Sequence, residues 1–340
     1  MEQADVLVLG LGPAGASAAR AAAEHGRHVV ALDRKREPGV PVQCAEFVPA
    51  MISAELTGLV RQRIDAMATF VEDDVADLEP NFPGHMLDRA AFDASLVARA
   101  AQAGADCRFG QRVLRITKDG TVQLSDGTRL RARVIVGADG PGSQAGRAVG
   151  SINTELVETR QVTVPLRRAH AATDIFLSAD IPGGYGWLFP KGGVANLGAG
   201  VIPAQRARLK PILEKLHAQL GDRVGKEILA TTGGAIPVGG LLRSWGRLED
   251  TLVLLAGDAA GLANPVTGAG IAAAVQSGRL AGEAAANGDA AFAASYQEEL
   301  EDLFGAALTR AIRRRRELME QVSTKAALRR GWIAYPEYWQ

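Results

Sequence analysis

The sequence predicts an α/β protein: a dinucleotide-binding domain with a parallel sheet, an inserted, mostly antiparallel β domain, and a C-terminal helical region. Three observations predict this fold class. A glycine-rich turn joins a short apolar strand to an Ala-rich helix near the N-terminus. Short strands separated by Pro and Gly fill the middle of the chain. Helical patterns then dominate from residue 286 onward.

The N-terminal turn has the spacing of a dinucleotide-binding fingerprint. Residues 6–9 form an apolar run, and a G-x-G-x-x-G at 10–15 follows at once. There the first glycine permits the tight turn, the second admits a pyrophosphate, and the third allows close helix–strand packing. A second apolar run ends in an acid that can accept ribose hydroxyls. The cofactor-binding residues predicted here are Gly10, Gly12, Pro13, Ala14, Gly15, Asp33 and Arg34.

Changes of pattern along the chain predict the domain boundaries. Residues 1–150 and 245–285 are expected to form the discontinuous nucleotide-binding domain. Residues 60–85 and 151–244 are expected to form the second, substrate domain, and residues 286–340 the helical region. Within the first domain, apolar spacing predicts a helix over 87–103 with Asp88 as its N-cap, and a shorter helix over 51–60.

Composition excludes several functional classes. Lys and Arg together number 38, as do Asp and Glu, so net charge gives no basis for nucleic-acid binding. Cys44 and Cys107 occur without a secretory segment, which indicates a reducing, cytoplasmic setting without disulfides. The five histidines lack metal-ligand spacing, so no metal is expected. Asp258 and Pro265 interrupt the most apolar window, which argues against a transmembrane helix.

Three separated stretches resemble the fingerprints of FAD enzymes with the para-hydroxybenzoate hydroxylase-like fold. They are 10–15 with Asp33, Gly-Ala-Asp-Gly at 137–140, and Gly-Asp at 257–258, each after a short apolar strand. The resemblance implies a Rossmann-type FAD-binding domain with an inserted, mostly antiparallel β substrate domain and a C-terminal helical region. The further cofactor contacts that it implies are Arg89, Val113, Asp139, Gly140, Asp258, Gly268, Gly270 and Ile271.

Within this class, two stretches are similar to signatures of the geranylgeranyl reductase family. Residues 185–190 resemble its Y-x-W-x-F-P signature, and residues 257–268 resemble its G-D-A-A-G…N-P-x-T-G stretch. The resemblance covers about residues 4–285. Members of the family saturate C=C bonds of polyprenyl chains. It therefore implies a flavin-dependent reductase in which flavin N5 delivers hydride to an alkene of a prenyl or other apolar chain.

Aromatic residues of the first signature are the predicted substrate contacts. In a strand, Tyr185 and Trp187 share one face, and Phe189 is the next aromatic residue at the same spacing. Flat side chains on that face can wall an apolar slot beside the flavin. The alternative is that they are ordinary core residues of the β domain.

The loop around Cys44 carries the predicted catalytic residues. Family members have a cysteine here, usually within P-x-C-G-G, whereas this chain has Cys44-Ala45-Glu46. The resemblance places Cys44 and Ala45 at the flavin. Cys44, Glu46 or water could supply the proton that the reduction needs. The alternative for Cys44 is a small, inert apolar residue.

The sequence does not decide between two electron donors, or between two interpretations of a basic run. Only one dinucleotide fingerprint is present, so NAD(P)H would have to reach the flavin without a second Rossmann domain, and a reduced donor protein is the alternative. A basic run is either a solvated face paired with Glu298, Glu299 and Glu301 or a peripheral contact with anionic lipid headgroups. The run consists of Arg310, Arg313, Arg314, Arg315 and Arg316.

Two other functions are compatible with the nucleotide motifs. One is a flavin-dependent monooxygenase that hydroxylates an aromatic small molecule or a peptide side chain, since both classes share these motifs. The other is a flavin-binding electron-transfer or sensor protein without turnover. The Y-x-W-x-F-P stretch and the Cys44 loop favour the reductase.

Overall fold

The computed structural model of the protein describes residues 1–49, 58–320 and 324–340. Its strands in chain order are β1 (Glu2–Leu9), β2 (Val29–Asp33), β3 (Phe47–Pro49), β4 (Val60–Ile64), β5 (Ala66–Val71), β6 (Asp77–Glu79), β7 (Gly84–Leu87), β8 (Asp106–Phe109), β9 (Val113–Ile116), β10 (Val122–Leu124), β11 (Arg129–Gly137), β12 (Leu156–Pro165), β13 (Ala172–Leu177), β14 (Gly186–Lys191), β15 (Val194–Val201), β16 (Ala230–Pro237), β17 (Trp245–Leu248) and β18 (Thr251–Leu255). Its α-helices are α1 (Pro13–Glu24), α2 (Arg89–Gln102), α3 (Gln144–Ala148), α4 (Leu209–Leu220), α5 (Ile271–Asn287), α6 (Ala290–Leu300), α7 (Ala306–Glu320), α8 (Lys325–Arg330) and α9 (Pro336–Trp339).

The largest sheet of the described residues brings the three predicted nucleotide motifs together. Its main path runs β17-β18-β11-β1-β2-β8, with β10 paired to β11 and β9 paired to β10. Strands β1, β11 and β18 are parallel neighbours, and Leu9, Gly137 and Leu255 lie at the same level. Since parallel strands end at one edge of the sheet, the turns at 10–15, 137–140 and 257–258 lie side by side there.

Helices α1 and α5 lie next to the sheet, and their backbones contact each other closely. A Cβ added at Gly278 would lie 2.1 Å from the Ala14 carbonyl oxygen, and one at Gly282 would lie 2.3 Å from that of Ala18. The Ala-rich helix α1 is therefore paired with glycines on α5. The predicted helix over 87–103 is confirmed as α2, and Asp88 caps it by accepting the Ala91 N–H at 3.0 Å.

A second sheet forms the cover above the motif edge. Its order is β16-β12-β15-β14-β13-β5-β6, and its pairs are antiparallel except for the parallel pair β13–β5. Strands β4 and β7 instead form a small sheet with β3, and β7 leads directly into α2. Strand β17 pairs with β18 of the first sheet. The α/β class is confirmed, whereas the division into domains stays a prediction.

The last residues of the chain fold back onto the second sheet. Lys325 forms an ion pair with Asp74, and the Tyr335 hydroxyl donates to Asp77 at 2.7 Å. Of the predicted helix over 51–60, residues 51–57 lie outside the described residues, and Val60 begins a strand. None of the described helices combines the length and hydropathy needed to cross a lipid bilayer.

Candidate active site

The glycine turn after β1 leaves open space at the N-terminus of α1. A Cβ on Gly10 would lie 2.3 Å from the Ala138 carbonyl oxygen, and one on Gly15 would lie 1.7 Å from that of Gly10. A Cβ on Gly12 would meet nothing within 4 Å. The protein's own backbone therefore requires the first and third glycines, whereas the second keeps a space that fits a pyrophosphate at a helix N-terminus.

Asp33 fixes this turn to the second strand. Its two carboxylate oxygens accept the backbone N–H groups of Leu11 and Lys35, each at 2.8 Å. Each oxygen keeps a further lone pair, so the position still fits a ribose hydroxyl. The neighbouring Arg34 is exposed.

The Asp139 carboxylate is hydrogen-bonded to other residues of the protein. Its carboxylate accepts the Ser143 hydroxyl at 2.5 Å and the N–H groups of Gln144 and Ala145, so it holds the start of α3. Burial raises the pKa of Asp139. Gln144 in turn donates to the Val113 carbonyl at 3.0 Å. The carboxylate that the resemblance assigns to the cofactor is thus already bonded, and Ala138 and Gly140 are the residues of this turn that reach the cavity described next.

One cavity, of about 380 Å³, extends from the glycine turn to the second sheet. It joins segments from the beginning, middle and end of the chain. The predicted site residues on its wall are Gly12, Pro13, Ala14, Cys44, Ala45, Glu46, Arg89, Gly140, Tyr185, Trp187, Phe189, Asp258, Gly268, Gly270 and Ile271. The predicted residues that do not line it are Gly10, Gly15, Asp33, Arg34, Val113 and Asp139.

Asp258 presents a carboxylate to this cavity. Burial raises its pKa to about 6, although the charge of Arg89 acts in the opposite direction. Among the described residues, no N–H or O–H group donates to that carboxylate, and a Cβ on Gly270 would lie 3.4 Å from one of its oxygens. A partly buried acceptor that faces a cavity and has no donor fits the hydroxyl groups of a ribityl chain.

Arg89 joins Asp258 to the Cys44 loop. Its guanidinium is paired with Asp93 at 3.1 Å, and both side chains are buried. Burial alone would lower the pKa of Arg89, but the Cys44 sulfur and the Asp93 carboxylate raise it overall. The Cys44 sulfur also accepts the Glu46 backbone N–H at 3.1 Å. The Cys44 sulfur therefore lies among polar groups of the cavity wall.

Glu46 explains how the loop tolerates the loss of a family glycine. Its φ is +68°, a conformation that glycine adopts freely and other residues rarely adopt. The residue is 4% exposed, and its side chain pairs with Lys191 and accepts the Asn196 amide N–H at 2.9 Å and the Arg89 backbone N–H at 3.3 Å. Three donors thus hold the carboxylate and the strained backbone in place, so the geometry favours a positioning role over proton donation.

Aromatic rings form the wall opposite the glycine turn. Ring centroids are 5.6 Å apart between Tyr185 and Trp187, 6.3 Å between Trp187 and Phe189, and 5.6 Å between Phe189 and Phe47. Trp332, from the C-terminal segment, lies 4.8 Å from Tyr185. Strand alternation thus places the three predicted aromatic residues on one face.

The polar atoms of these rings are bonded to the protein. The Tyr185 hydroxyl donates to the Thr267 carbonyl at 2.6 Å, and the Trp187 indole N–H donates to Gln161 at 3.0 Å. Burial raises the pKa of Tyr185 above its usual range, so the phenol is protonated at neutral pH. The satisfied polar atoms leave the ring faces to line an apolar slot.

Sequence reasoning missed several residues that contact the predicted ones, among them Gln161, Lys191, Asn196 and Trp332. Gln161 also donates to the Cys44 carbonyl at 3.1 Å, and it lines the cavity with Val157 and Thr159. Their spacing of two residues along β12 was a usable signal. Lys191, Asn196 and Trp332 gave no such signal, because their partners lie far away in the chain.

The basic run is not one surface, because two of its five arginines are buried and are therefore not part of a membrane contact. Arg314 and Arg315 are only 5% and 9% exposed. Arg314 donates to the carbonyls of Tyr338 and Glu337 at 3.0 and 2.8 Å. Four successive helical positions point in different directions, so these two arginines face the protein.

The other arginines of the run lie on the outer side with partners that were not predicted. Arg313 lies 3.9 Å from Glu317, Arg316 lies 3.9 Å from Glu155, and Arg310 lies 5.3 Å from the Trp339 ring centroid. Pairs with Glu298, Glu299 or Glu301 are not found among the described residues. Across the residues that the structure describes, no group of three or more His, Cys, Asp or Glu side chains could hold a metal ion.

Two family models match the chain. The geranylgeranyl reductase catalytic domain matches residues 157–236, and the FAD binding domain matches residues 3–179. A solved structure described as geranylgeranyl bacteriochlorophyll reductase-like, from Thermoplasma acidophilum, has a TM-score of 0.82 at 25% identity and covers 99% of this chain and 98% of its own. A probable FAD-dependent monooxygenase from Pseudomonas aeruginosa has a TM-score of 0.72 at 20% identity, covering 96% and 98%, which shows the fold alone.

Curated relatives match over most of their length. The digeranylgeranylglycerophospholipid reductase 2 of Methanopyrus kandleri is 34% identical, over 88% of this chain and 83% of its own. The digeranylgeranylglycerophospholipid reductase of Methanocella arvoryzae is 35% identical, over 89% and 84%. The open space at Gly12 and the unbonded Asp258 carboxylate fit the FAD that these matches imply. The chain therefore belongs to the geranylgeranyl reductase family of FAD-dependent oxidoreductases.

Proposed function

We propose that this enzyme saturates C=C bonds in the geranylgeranyl-type chains of a lipid. The observation that carries the proposal is the single cavity whose wall includes both the glycine turn and the row of aromatic rings. Such a cavity can hold an apolar chain next to a bound flavin. FAD, when bound, supplies the hydride at N5, and the relatives named as reductases of digeranylgeranyl lipids support this substrate class.

The chain's own residues supply binding, orientation and a proton. Tyr185, Trp187 and Trp332 bind the prenyl chain of the substrate and exclude water from the reacting alkene. An isolated alkene is unactivated, so this positioning must lower much of the barrier. Cys44 holds a proton on a sulfur that lines the cavity, and that proton goes to the alkene carbon that does not receive hydride. Glu46 positions the loop through Lys191 and Asn196.

The experiment that tests the proposal is anaerobic. Reduced holoenzyme is mixed with a geranylgeranyl phospholipid, and flavin absorbance and product mass are followed. We expect reoxidation together with a gain of two hydrogens for each bond reduced. Cys44→Ser should slow reoxidation by about 100-fold, the lower range for a lost acid catalyst, without loss of FAD. Cys107→Ser, a half-buried cysteine off the cavity wall, is the matched control.

Two outcomes would count against the proposal. One is a reduced enzyme that the lipid does not reoxidise. The other is an enzyme that, with O₂, adds oxygen to an aromatic compound or a peptide side chain. The second result would establish the monooxygenase alternative, which at present rests on the shared fold alone.

The electron donor and the membrane contact are finer parts of the proposal. NADH, NADPH and a reduced donor protein are to be compared as reductants of the oxidised holoenzyme. We expect peripheral contact with anionic lipid through Arg310, Arg313 and Arg316, whose side chains lie on the outer side of α7. Replacing these three by Gln should weaken sedimentation with phosphatidylglycerol vesicles, and unchanged sedimentation would exclude this surface.

A further inference from the structure

Arg315 is a buried guanidinium on the wall of the active-site cavity. It is only 9% exposed, and it lines the same cavity as Tyr185 and Trp332. Within the described part of the chain it makes one hydrogen bond, which is long: 3.4 Å from Nη1 to the Pro265 carbonyl oxygen. No carboxylate of the described residues lies within 4.0 Å of it. Among the described residues, the remaining N–H groups of its guanidinium therefore have no strong acceptor.

The other buried arginines show what a paired one looks like. Arg89 is paired with Asp93 at 3.1 Å. Arg314 is paired with Glu317 at 2.7 Å and also donates to two backbone carbonyls. Arg315 differs from both, and burial lowers its pKa. The acid that partly offsets this effect, Glu155, is half exposed and lies 3.9 Å from Arg316 instead.

An uncompensated buried charge destabilises the free protein, and an anionic ligand removes that cost. The planar guanidinium binds the oxygens of a phosphate group in a bidentate manner. FAD's pyrophosphate has a separate place, the open space at Gly12 and the N-terminus of α1. Arg315 instead contacts the turn at 264–268, whose Thr267 holds the Tyr185 hydroxyl of the aromatic wall.

We propose that Arg315 binds a phosphate-type oxyanion on the headgroup of the substrate, so that the enzyme selects prenyl phosphates and phospholipids over neutral prenyl alcohols. This inference rests on the proposed function, because it assigns the polar end of the same substrate. The apolar chain then lies along the aromatic rings while the phosphate is held at the Pro265 end of the cavity.

The test compares two ligands that differ only in a terminal phosphate group. Geranylgeranyl monophosphate and geranylgeraniol are titrated into the oxidised holoenzyme, with flavin absorbance as the measure of binding. We expect the phosphate to bind the wild type at least about tenfold more tightly, as a charge-assisted bidentate pair requires. Arg315→Gln should abolish that preference and leave alcohol binding unchanged, and Arg315→Lys should keep part of it. Arg279→Gln removes an exposed arginine on α5 and is the control.

Inorganic phosphate, added alone, distinguishes a headgroup site from a site for the free ion. If inorganic phosphate competes with geranylgeranyl monophosphate only at millimolar concentration, the result supports a headgroup site. Tight binding of the free ion, without effect on the prenyl ligand, would overturn the proposal. A phosphate preference that persists in Arg315→Gln, or an equal loss for both ligands together with FAD, would also overturn it. If the wild type binds with the expected preference but reduces neither ligand, the proposed function fails while this inference stands.

Discussion

The two halves of the active site are built in different ways. The nucleotide half consists of turns that follow three adjacent strands, β1, β11 and β18, and its shape is set by backbone. The substrate half consists of side chains from β14, the Cys44 loop and the C-terminal segment, held by ring contacts and long-range hydrogen bonds. Where backbone atoms of a turn are in direct contact, an added methyl group cannot be accommodated, whereas side chains packed in a wall can partly rearrange. Substitutions should therefore affect the two halves differently.

The largest effect is expected in the nucleotide half, from Gly15→Ala. The new Cβ would lie 1.7 Å from the Gly10 carbonyl oxygen, so the turn and α1 cannot keep their positions. We expect a loss of more than about 4 kcal/mol in the free energy of unfolding, or no folded protein at all. Urea unfolding and FAD content measure this, and near-wild-type stability would contradict the backbone account of the turn.

In the substrate half, Trp332→Ala should be severe but tolerated. The ring is 2% exposed and packs on Tyr185, so truncation is expected to cost about 3 kcal/mol of unfolding free energy. The protein should keep FAD but reduce the prenyl substrate more slowly, because the C-terminal end of the wall is lost. Trp339→Ala, at a ring that is 58% exposed, is the control and should cost less than about 1 kcal/mol. Loss of FAD from Trp332→Ala would mean that the two halves are coupled.

Gly12→Ala separates the ligand's space from the protein's own packing. Gly12 has φ −74°, which alanine adopts, and the new Cβ meets nothing within 4 Å. The apoprotein should unfold like the wild type, while FAD affinity should fall by at least about 100-fold, or about 2.8 kcal/mol. Fluorescence titration of the apoprotein with FAD tests this. Unchanged affinity would place the pyrophosphate elsewhere.

The smallest expected effect is a pH dependence of FAD affinity through Asp258. Its pKa of about 6 in the free protein should fall when ribityl hydroxyls donate to the ionised carboxylate. The affinity for FAD is then highest above about pH 6, and it decreases by up to about tenfold per pH unit as the pH falls below that value. Asp258→Asn should bind FAD more weakly and with a flatter profile between pH 5 and pH 7. Identical profiles for both proteins would exclude this role.

The difference between the halves also explains what can be predicted. Glycines at 10, 12 and 15 stand in one short window, and sterics alone assign them a turn, so the sequence is enough to identify the motif. Glu46 cannot be interpreted in this way: its place in the chain suggests a free acid, while the fold supplies Lys191, Asn196 and the Arg89 N–H as donors. Arg315 has the sequence context of a basic surface and lies on the cavity wall instead.

The sequence by itself determined the α/β class, the strand–turn–helix units and the family, because local sterics and short-range periodicity specify them. It also determined which aromatic residues share a face along residues 185–189, since side chains alternate along an extended segment. Only the tertiary structure decided that Trp332 completes the aromatic wall, that Glu46 is held by three donors, and that Arg315 lies on the cavity wall. Those contacts join residues far apart in the chain, and sheet order and packing, which no short window contains, bring them together.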